Sequence, residues 1–307
     1  MALGTGQQTV TTAANFIPEL WSDEVIAGYK ANLVLGNIVT KINHNGKKGD
    51  TIHIPAPVRG SANSKSANTQ VTLQGDTHSV VNLSINKHYE YSVVIEDITE
   101  VQALSSLRRF YTDDAGYALA TQVDNDLFTL AEGFQGGTVG GTGAALYEKG
   151  VIGGDGTTLY TGNSTNASDI TDAGIRKMIL TLDNADVPMD NRCLVIPPIA
   201  ANDLLAINRF TEQQYIGNGD AIKTGKIGSI YGIDVFVSSN CPSINSDAQR
   251  VGIMQHKDAL ALVEQMGVRS QTQYKQEYLG DLFTADTLYG VGELRNDAGI
   301  AFVVPAT

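Results

Sequence analysis

The sequence predicts an α+β fold, and three observations carry that prediction. Apolar and polar residues alternate in two tracts near the start, apolar residues recur every three or four positions from Thr99 to Gly133, and beyond Ser168 helical and strand-like tracts take turns. A chain of 307 residues with 42% hydrophobic content has enough apolar material for a sizeable core, in one large domain or two modest ones.

Residues 1–17 are small and polar and read as an arm. The tract "FIPELWSDEVIAGYKANLVLGNIV" then turns apolar, with Pro18 as punctuation, Ser22 as an N-cap, and Val25, Ile26, Tyr29 and Leu33 at helical spacing. After "NHNGKKGD" the period drops to two. Ile52 and Ile54 share one face with His53 between them, and Pro55 and Pro57 suit an edge strand because proline donates no ladder hydrogen bond. A second extended tract alternates Val81, Leu83 and Ile85 with Asn82 and Ser84 and continues through Tyr89, Tyr91 and Val93. The two tracts predict a long hairpin whose tip is "RGSANSKSANTQ", Arg59 to Gln70, a run without one large apolar side chain.

Thr99 followed by Gln102 is a capping-box pattern. From there Val101, Leu104, Leu107, Tyr111, Ala115, Leu119, Val123, Leu127 and Leu130 predict one helix of about 50 Å at the usual rise per residue. Gly116 in its middle predicts a kink or a close backbone contact. Ten glycines from Gly133 to Gly156 read as a loop carrying a hairpin, an insertion outside the core. The rest reads as α/β: a helix in "DITDAGIRKMILTLDNA", a buried strand "RCLVIP", a helix "PPIAANDLLAIN", a turn and strand "GKIGSIYGIDVFVSSN", and a strand "RVGIMQ". The tail again favours strands, with Gly280, Gly290 and Gly299 as punctuation, and these strands are expected to pack on the long helix.

The formal net charge of -12 is spread along the chain, which favours solubility and opposes non-specific affinity for a polyanion. No stretch is long and apolar enough for a spanning helix, and the N-terminus lacks a secretory signal pattern, so no membrane association and a cytoplasmic site of synthesis are expected. The same absence makes the N-x-S/T triplets at Asn82, Asn163 and Asn166 chance occurrences. Cys193 and Cys241 lack metal-ligand spacing and read as two buried thiols in a reducing compartment.

No catalytic constellation stands out. There is no phosphate-binding loop, dinucleotide fingerprint or nucleophile elbow, and the lysine in "GKIGS" leads into a strand, so that stretch is a turn. His44, His53, His78, His88 and His256 form no helical metal pair and read as strand positions. Asp113, Asp114, Asp124 and Asp126 suggest paired carboxylates, but Asp113 and Asp124 lie three turns apart, about 16 Å, so a solvated face or ion pairs with Arg108 and Arg109 is the better account. Lys41, Lys47 and Lys48 read first as a charged turn, with an acidic neighbouring subunit as the functional alternative. No catalytic, cofactor or metal residue is therefore assigned.

The order of arm, long hairpin, very long helix, glycine-rich segment, α/β lobe and closing strands resembles the major capsid proteins of tailed double-stranded DNA phages, the Hong Kong 97 type fold. "FIPELWSDEVI" is similar to the end of that family's N-terminal arm, "GDTIHIPAPV" and the tract to Asp97 to its extended E-loop, and "ITEVQALSSLRRFYTDDAGYALATQVDNDLFTLA" to its spine helix. "GKIGSIYGIDVFVSSN" resembles the glycine turn and strand of its axial domain, and "TLYGVGELRNDAGIAFVV" the closing strands of its peripheral domain. The resemblance implies an arm over 1–36, an E-loop hairpin over 37–96, and a peripheral domain with spine helix and glycine-rich insertion over 97–167. It also implies an axial domain over 168–267 and peripheral closing strands over 268–307.

What the resemblance implies about function is a homo-oligomer of hexamers and pentamers, closing into an icosahedral shell around double-stranded DNA without sequence-specific binding. The shell would be assembled in the host cytoplasm and would reside in the virion. It implies a portal at one vertex, admits a decoration protein outside, and, because the arm is short and begins at Met1, implies a separate scaffolding protein. Arg59, Lys65 and Gln70 at the hairpin tip are the expected inter-subunit contacts. Some members cross-link through an E-loop lysine, and Lys65 occupies the tip, but neither the acceptor asparagine nor the catalytic glutamate of that reaction is matched here. Two alternatives remain: an encapsulin-type compartment with the same fold, and a hydrolase using the helix carboxylates.

Overall fold

The computed structural model describes residues 34–46, 48–56, 60–71, 73, 75, 79–102, 107–136, 151–157, 167–207, 228–244 and 246–306. The arm and all but the end of the first expected helix lie outside these residues. What is described there is a single turn, α1 (Leu35–Ile38), leading into β1 (Thr40–Asn43).

The expected hairpin is present. Strand β2 (Thr51–Ala56) pairs antiparallel with β3 (Ser79–Ser84), from Thr51 opposite Ser84 to Ala56 opposite Ser79. Ile52, Ile54, Val81 and Leu83 turn to one face, and His53, Pro55, Asn82 and Ser84 are exposed on the other, the period-two pattern of a half-buried ribbon. Among the described residues β2 has no second neighbour, so Pro55 costs no ladder bond there. After Ile85 and Asn86 the same tract continues as β4 (Lys87–Glu96), which joins a different sheet.

A short helix α2 (Asp97–Gln102) and the long helix α3 (Leu107–Ala131) follow. Because α2 begins at Asp97, Thr99 lies inside a helix and is not an N-cap as its spacing suggested. The 25 residues of α3 span about 37 Å, still long for one small domain. The helix runs unbroken through Gly116, and a Cβ there would meet nothing within 4 Å, so neither kink nor close contact explains that glycine.

The second half comprises β5 (Val151–Gly153), α4 (Asp172–Asn184), β6 (Arg192–Ile196), α5 (Pro198–Ala206), β7 (Ser229–Ile230), β8 (Ile233–Val237), β9 (Ser243–Ile244), β10 (Gln249–His256), β11 (Leu260–Lys275), β12 (Gly280–Glu293) and β13 (Gly299–Pro305). A four-stranded sheet has the order β1-β11-β12-β4. A second sheet runs β5-β13-β10-β6-β8-β7, with β9 paired to β10. All five residues of β6 are buried, as a central strand covered on both faces requires.

Three expectations change. The glycine-rich segment is not wholly an insertion: β5 pairs in parallel with β13, and Ile152 is fully buried. The glycines after it serve close packing, since a Cβ on Gly174, in the first turn of α4, would stand 1.8 Å from the Gly154 carbonyl oxygen. The expected domain boundary after residue 267 cuts β11 in two, and β13, expected among the peripheral closing strands, lies in the second sheet between β5 and β10. The first ten residues of β11 were not read as strand at all.

As expected, the tail returns to the long helix through β12: Ala115 and Leu119 of α3 pack on Phe283 and Ala285, with Tyr89 and Tyr91 of β4 alongside. Farther along, Leu127, Phe128 and Ala131 enter the main core with Ile152, Ile175, Met178, Leu194, Ile253 and Phe302. One helix therefore seats on both sheets.

Candidate assembly interface

The hairpin is anchored at its base and unsupported at its tip. At the base, Leu83 and Ile85 are buried against Ala261 and Val263 of β11, with Ile42, Ile52 and Leu288 around them. That approach needs two glycines in β12. A Cβ on Gly290 would lie 2.4 Å from the Ser84 carbonyl oxygen, and one on Gly292 would lie 2.2 Å from the Leu83 side chain. Asp50 adds a backbone bond, its carbonyl accepting from the Ile85 N–H at 2.7 Å. His53 and Asn82, directly opposite in register, close a side-chain hydrogen bond of 2.6 Å on the exposed face.

Beyond the Ala56 and Ser79 pair the described tip residues hold no strand, and every one of residues 60–71 is exposed. Lys65 and Gln70 flank a turn in which Thr69 Oγ1 donates to the Ser66 carbonyl at 2.8 Å and Asn68 takes the left-handed conformation, φ 65°. Both are free of the subunit's core. Arg59, the third expected contact, lies outside the described residues. Val71 and Leu73, at 60% and 90% exposure, are large apolar groups left in water.

The helix carboxylates do something other than solvation. Asp124 is 1% exposed, and its Oδ1 accepts from the backbone N–H groups of Leu35 at 2.9 Å and Gly36 at 3.3 Å. Its Oδ2 accepts from Asn240 Nδ2 at 3.1 Å. Burial raises its pKa, and the hydrogen bonds from Asn240, Gly36 and Leu35 oppose that rise. Asp126 accepts from the Tyr289 hydroxyl at 2.7 Å and pairs with Lys87 at 3.5 Å; burial and this hydrogen bond push the Tyr289 phenol upward. Asp114 accepts from the Tyr91 hydroxyl at 3.2 Å. Three of the four carboxylates thus tie α3 to α1, β4, β12 and the loop at Asn240. The signal was present in the spacing: Asp124 shares a helical face with Leu127, Phe128 and Ala131.

Beside this junction lies a cleft of about 270 Å³, walled by Leu119, Val123, Leu262, Val268 and Tyr289, with Asp124 among its polar lining. On the inner strand β12 of the four-stranded sheet, Asp286 receives both guanidinium contacts of Arg269 from β11, at 2.7 and 2.9 Å, and His88 of β4 at 3.1 Å; the Arg269 hydrogen bond is the main reason its carboxyl stays below the usual range. Cys193 and Cys241 are both buried and unbonded to each other, and burial pushes each thiol up to about 12. Among the described residues, no three His, Cys, Asp or Glu side chains are grouped to hold a metal ion, and no helix is long and apolar enough to cross a membrane.

A base-anchored hairpin, a long helix spanning two sheets and an α/β sheet completed by the closing strand define a shell subunit of the Hong Kong 97 type. Solved capsids share the fold. The Mycobacterium phage Che8 protein aligns with a TM-score of 0.74 at 24% identity, covering 94% of this chain and 97% of its own. The capsid of cyanophage P-SCSP1u aligns at 0.75 and 17% identity, covering 99% and 97%. The acid-stable capsid of Helicobacter pylori bacteriophage KHP30 aligns at 0.69 and 12% identity, covering 99% and 100%. No curated protein matches.

The family described as phage capsid protein matches residues 91–301, and the chain belongs to it. It is a structural protein of the capsid shell, resident in the virion.

Proposed function

We propose that this chain is the major capsid subunit of a tailed phage, forming the hexamers and pentamers of an icosahedral shell around double-stranded DNA. The observation that carries the reading is the tip of the hairpin: residues 60–71 are all exposed, belong to no core cluster, and lie beyond a base packed by Leu83 and Ile85. In this reading Arg59, Lys65 and Gln70 contact a neighbouring subunit, and the subunit performs no chemistry of its own. Assembly takes place in the host cytoplasm with a separate scaffolding protein, a portal occupies one vertex, and a decoration protein is accommodated outside. The net charge of -12 supports containment over binding, because a subunit of the same overall sign as DNA has little non-specific affinity for it.

The domain division follows sheet membership. The four-stranded sheet and α3 form the peripheral domain, and β5 to β10 with β13 form the axial domain. Replacing Arg59–Gln70 by a tight turn tests the reading. The variant subunit keeps its circular dichroism and melting temperature, while electron microscopy shows at least a tenfold loss of closed particles. Unchanged particles would reduce the tip to a surface excursion.

A further inference from the structure

The turn between β1 and β2, "NHNGKKGD", contains Asn45 followed by Gly46, and among the described residues no other asparagine precedes a glycine. Attack by the next residue's backbone nitrogen on an asparagine's side-chain carbonyl carbon closes a five-membered ring, so the reaction runs wherever that nitrogen can reach. A side chain on the following residue hinders the approach, and a hydrogen bond on its N–H ties the nucleophile down. Neither obstacle stands at Asn45. Both residues are exposed, Gly46 takes the left-handed conformation at φ 71°, and even a Cβ there would meet nothing within 4 Å. Among the described residues, no hydrogen bond holds the Asn45 side-chain amide or the Gly46 N–H; the bond present at Asn45 runs from its backbone N–H to Asn43 Oδ1 at 2.9 Å. Asn43 is the internal contrast. Its Oδ1 is occupied by that bond, and the N–H that would attack it, on His44, donates to the Glu264 carbonyl at 3.0 Å. Asn240 and Asn296 have their amides held by Asp124 and Asn125, and by Gly133 and Glu293. Asn63 and Asn68 are exposed, but Ser64 and Thr69 follow them and bring a Cβ to the attacking nitrogen.

We propose that Asn45 is a site of spontaneous covalent modification, losing its amide to become a mixture of aspartyl and isoaspartyl residues. The Gly46 nitrogen gives its proton to hydroxide and bonds to Asn45 Cγ; the Cγ–Nδ2 bond breaks, and ammonia leaves with a proton taken from water, closing a succinimide. Water then opens the ring at either carbonyl, with no change in oxidation state. One opening keeps the main chain and leaves a carboxylate on the side chain. The other routes the main chain through Cβ and Cγ, one carbon longer. Either product adds a negative charge to a turn that carries the exposed Lys48. The turn is held to β11 at both ends, by the His44 N–H on the Glu264 carbonyl and by Gln265 Nε2 donating to the Gly49 carbonyl at 2.9 Å. The longer product therefore strains the root of the hairpin, where the Asp50 carbonyl accepts from the Ile85 N–H. The chemistry needs one subunit and does not rest on its assembly.

Incubation of the purified chain at 37 °C and pH 8.5, followed by tryptic mass spectrometry, tests the site. The peptide 42–47 is expected to gain about 1 Da, with fragment ions placing the gain at Asn45 and not at Asn43. Asn45 converts at least tenfold faster than Asn43, Asn63, Asn68 or Asn240, and isoaspartyl-specific methylation labels the product. Lowering the pH to 6 slows the conversion at least tenfold, because the attacking nitrogen must lose its proton. Asn45→Gln, whose ring would need one more atom, removes both signals from the peptide and leaves the melting temperature unchanged, since the side chain is exposed and unbonded among the described residues. A rate at Asn45 less than tenfold above those of the other four asparagines, a gain located at Asn43, or a rate that does not change with pH overturns the proposal.

Discussion

The hairpin and the seven-stranded sheet use the same alternation of residues to opposite ends. In the sheet, every residue of β6 is buried, β10 and β13 pair over seven positions, and glycine is chosen so that a turn can press against α4. In the hairpin, pairing runs from the base at Leu83 and Ile85 to Ala56 opposite Ser79, and residues 60–71 are all exposed. Hydrophobic burial is the dominant favourable term in folding, so the sheet stabilises the subunit and the tip is free to serve another purpose.

Substitutions sort along that contrast. Gly174→Ala is expected to act most strongly: its Cβ would collide with the Gly154 backbone, which cannot move aside as a side chain can, and a loss of at least about 3 kcal/mol follows. Denaturant unfolding or loss of soluble protein reads it. Asp124→Ala comes next. It leaves the Leu35 and Gly36 N–H groups and the Asn240 amide short of an acceptor, for about 2 kcal/mol, and limited proteolysis should show earlier cleavage near α1.

Glu132, at the end of α3, has its pKa raised by burial to about 7. A carboxyl that holds its proton more tightly when folded contributes most below its unfolded pKa, and that stability is lost as pH rises toward 7. Glu132→Gln is therefore expected to raise the unfolding free energy at pH 8 by on the order of 1 kcal/mol, read by denaturant unfolding, and to change it little at pH 4.5. At the other extreme, Leu73→Ser in the tip should change subunit stability by less than about 0.5 kcal/mol; a larger loss would mean the tip packs on its own subunit.

The two regions also differ in how legible they were. Alternation placed Ile52, Ile54, Val81, Leu83 and Ile85 on the correct face because a two-stranded ribbon over one cluster keeps a strict period. The strand tracts of β6, β8 and β10 were equally plain. The first part of β11 was missed because bulges around Gly267 break the period there. Val151–Gly156 was read as insertion because glycine usually marks a turn, whereas Gly154 and Gly174 are there to let two backbones touch. Asp124 was read as part of a solvated face or an ion pair with Arg108 or Arg109, although its spacing to Leu127 and Phe128 placed it inward. The contacts proposed for Arg59, Lys65 and Gln70 depend on a second copy, which one chain's periodicity does not encode.

Hydrogen exchange of the tip amides, followed in free subunits and in assembled particles, tests the central claim most directly. The account predicts that amides from Gly60 to Gln70 exchange within seconds in the free subunit and become protected at least a hundredfold in the shell, while those of β6 and β10 are slow in both. Tip amides that exchange equally fast in both states would contradict it.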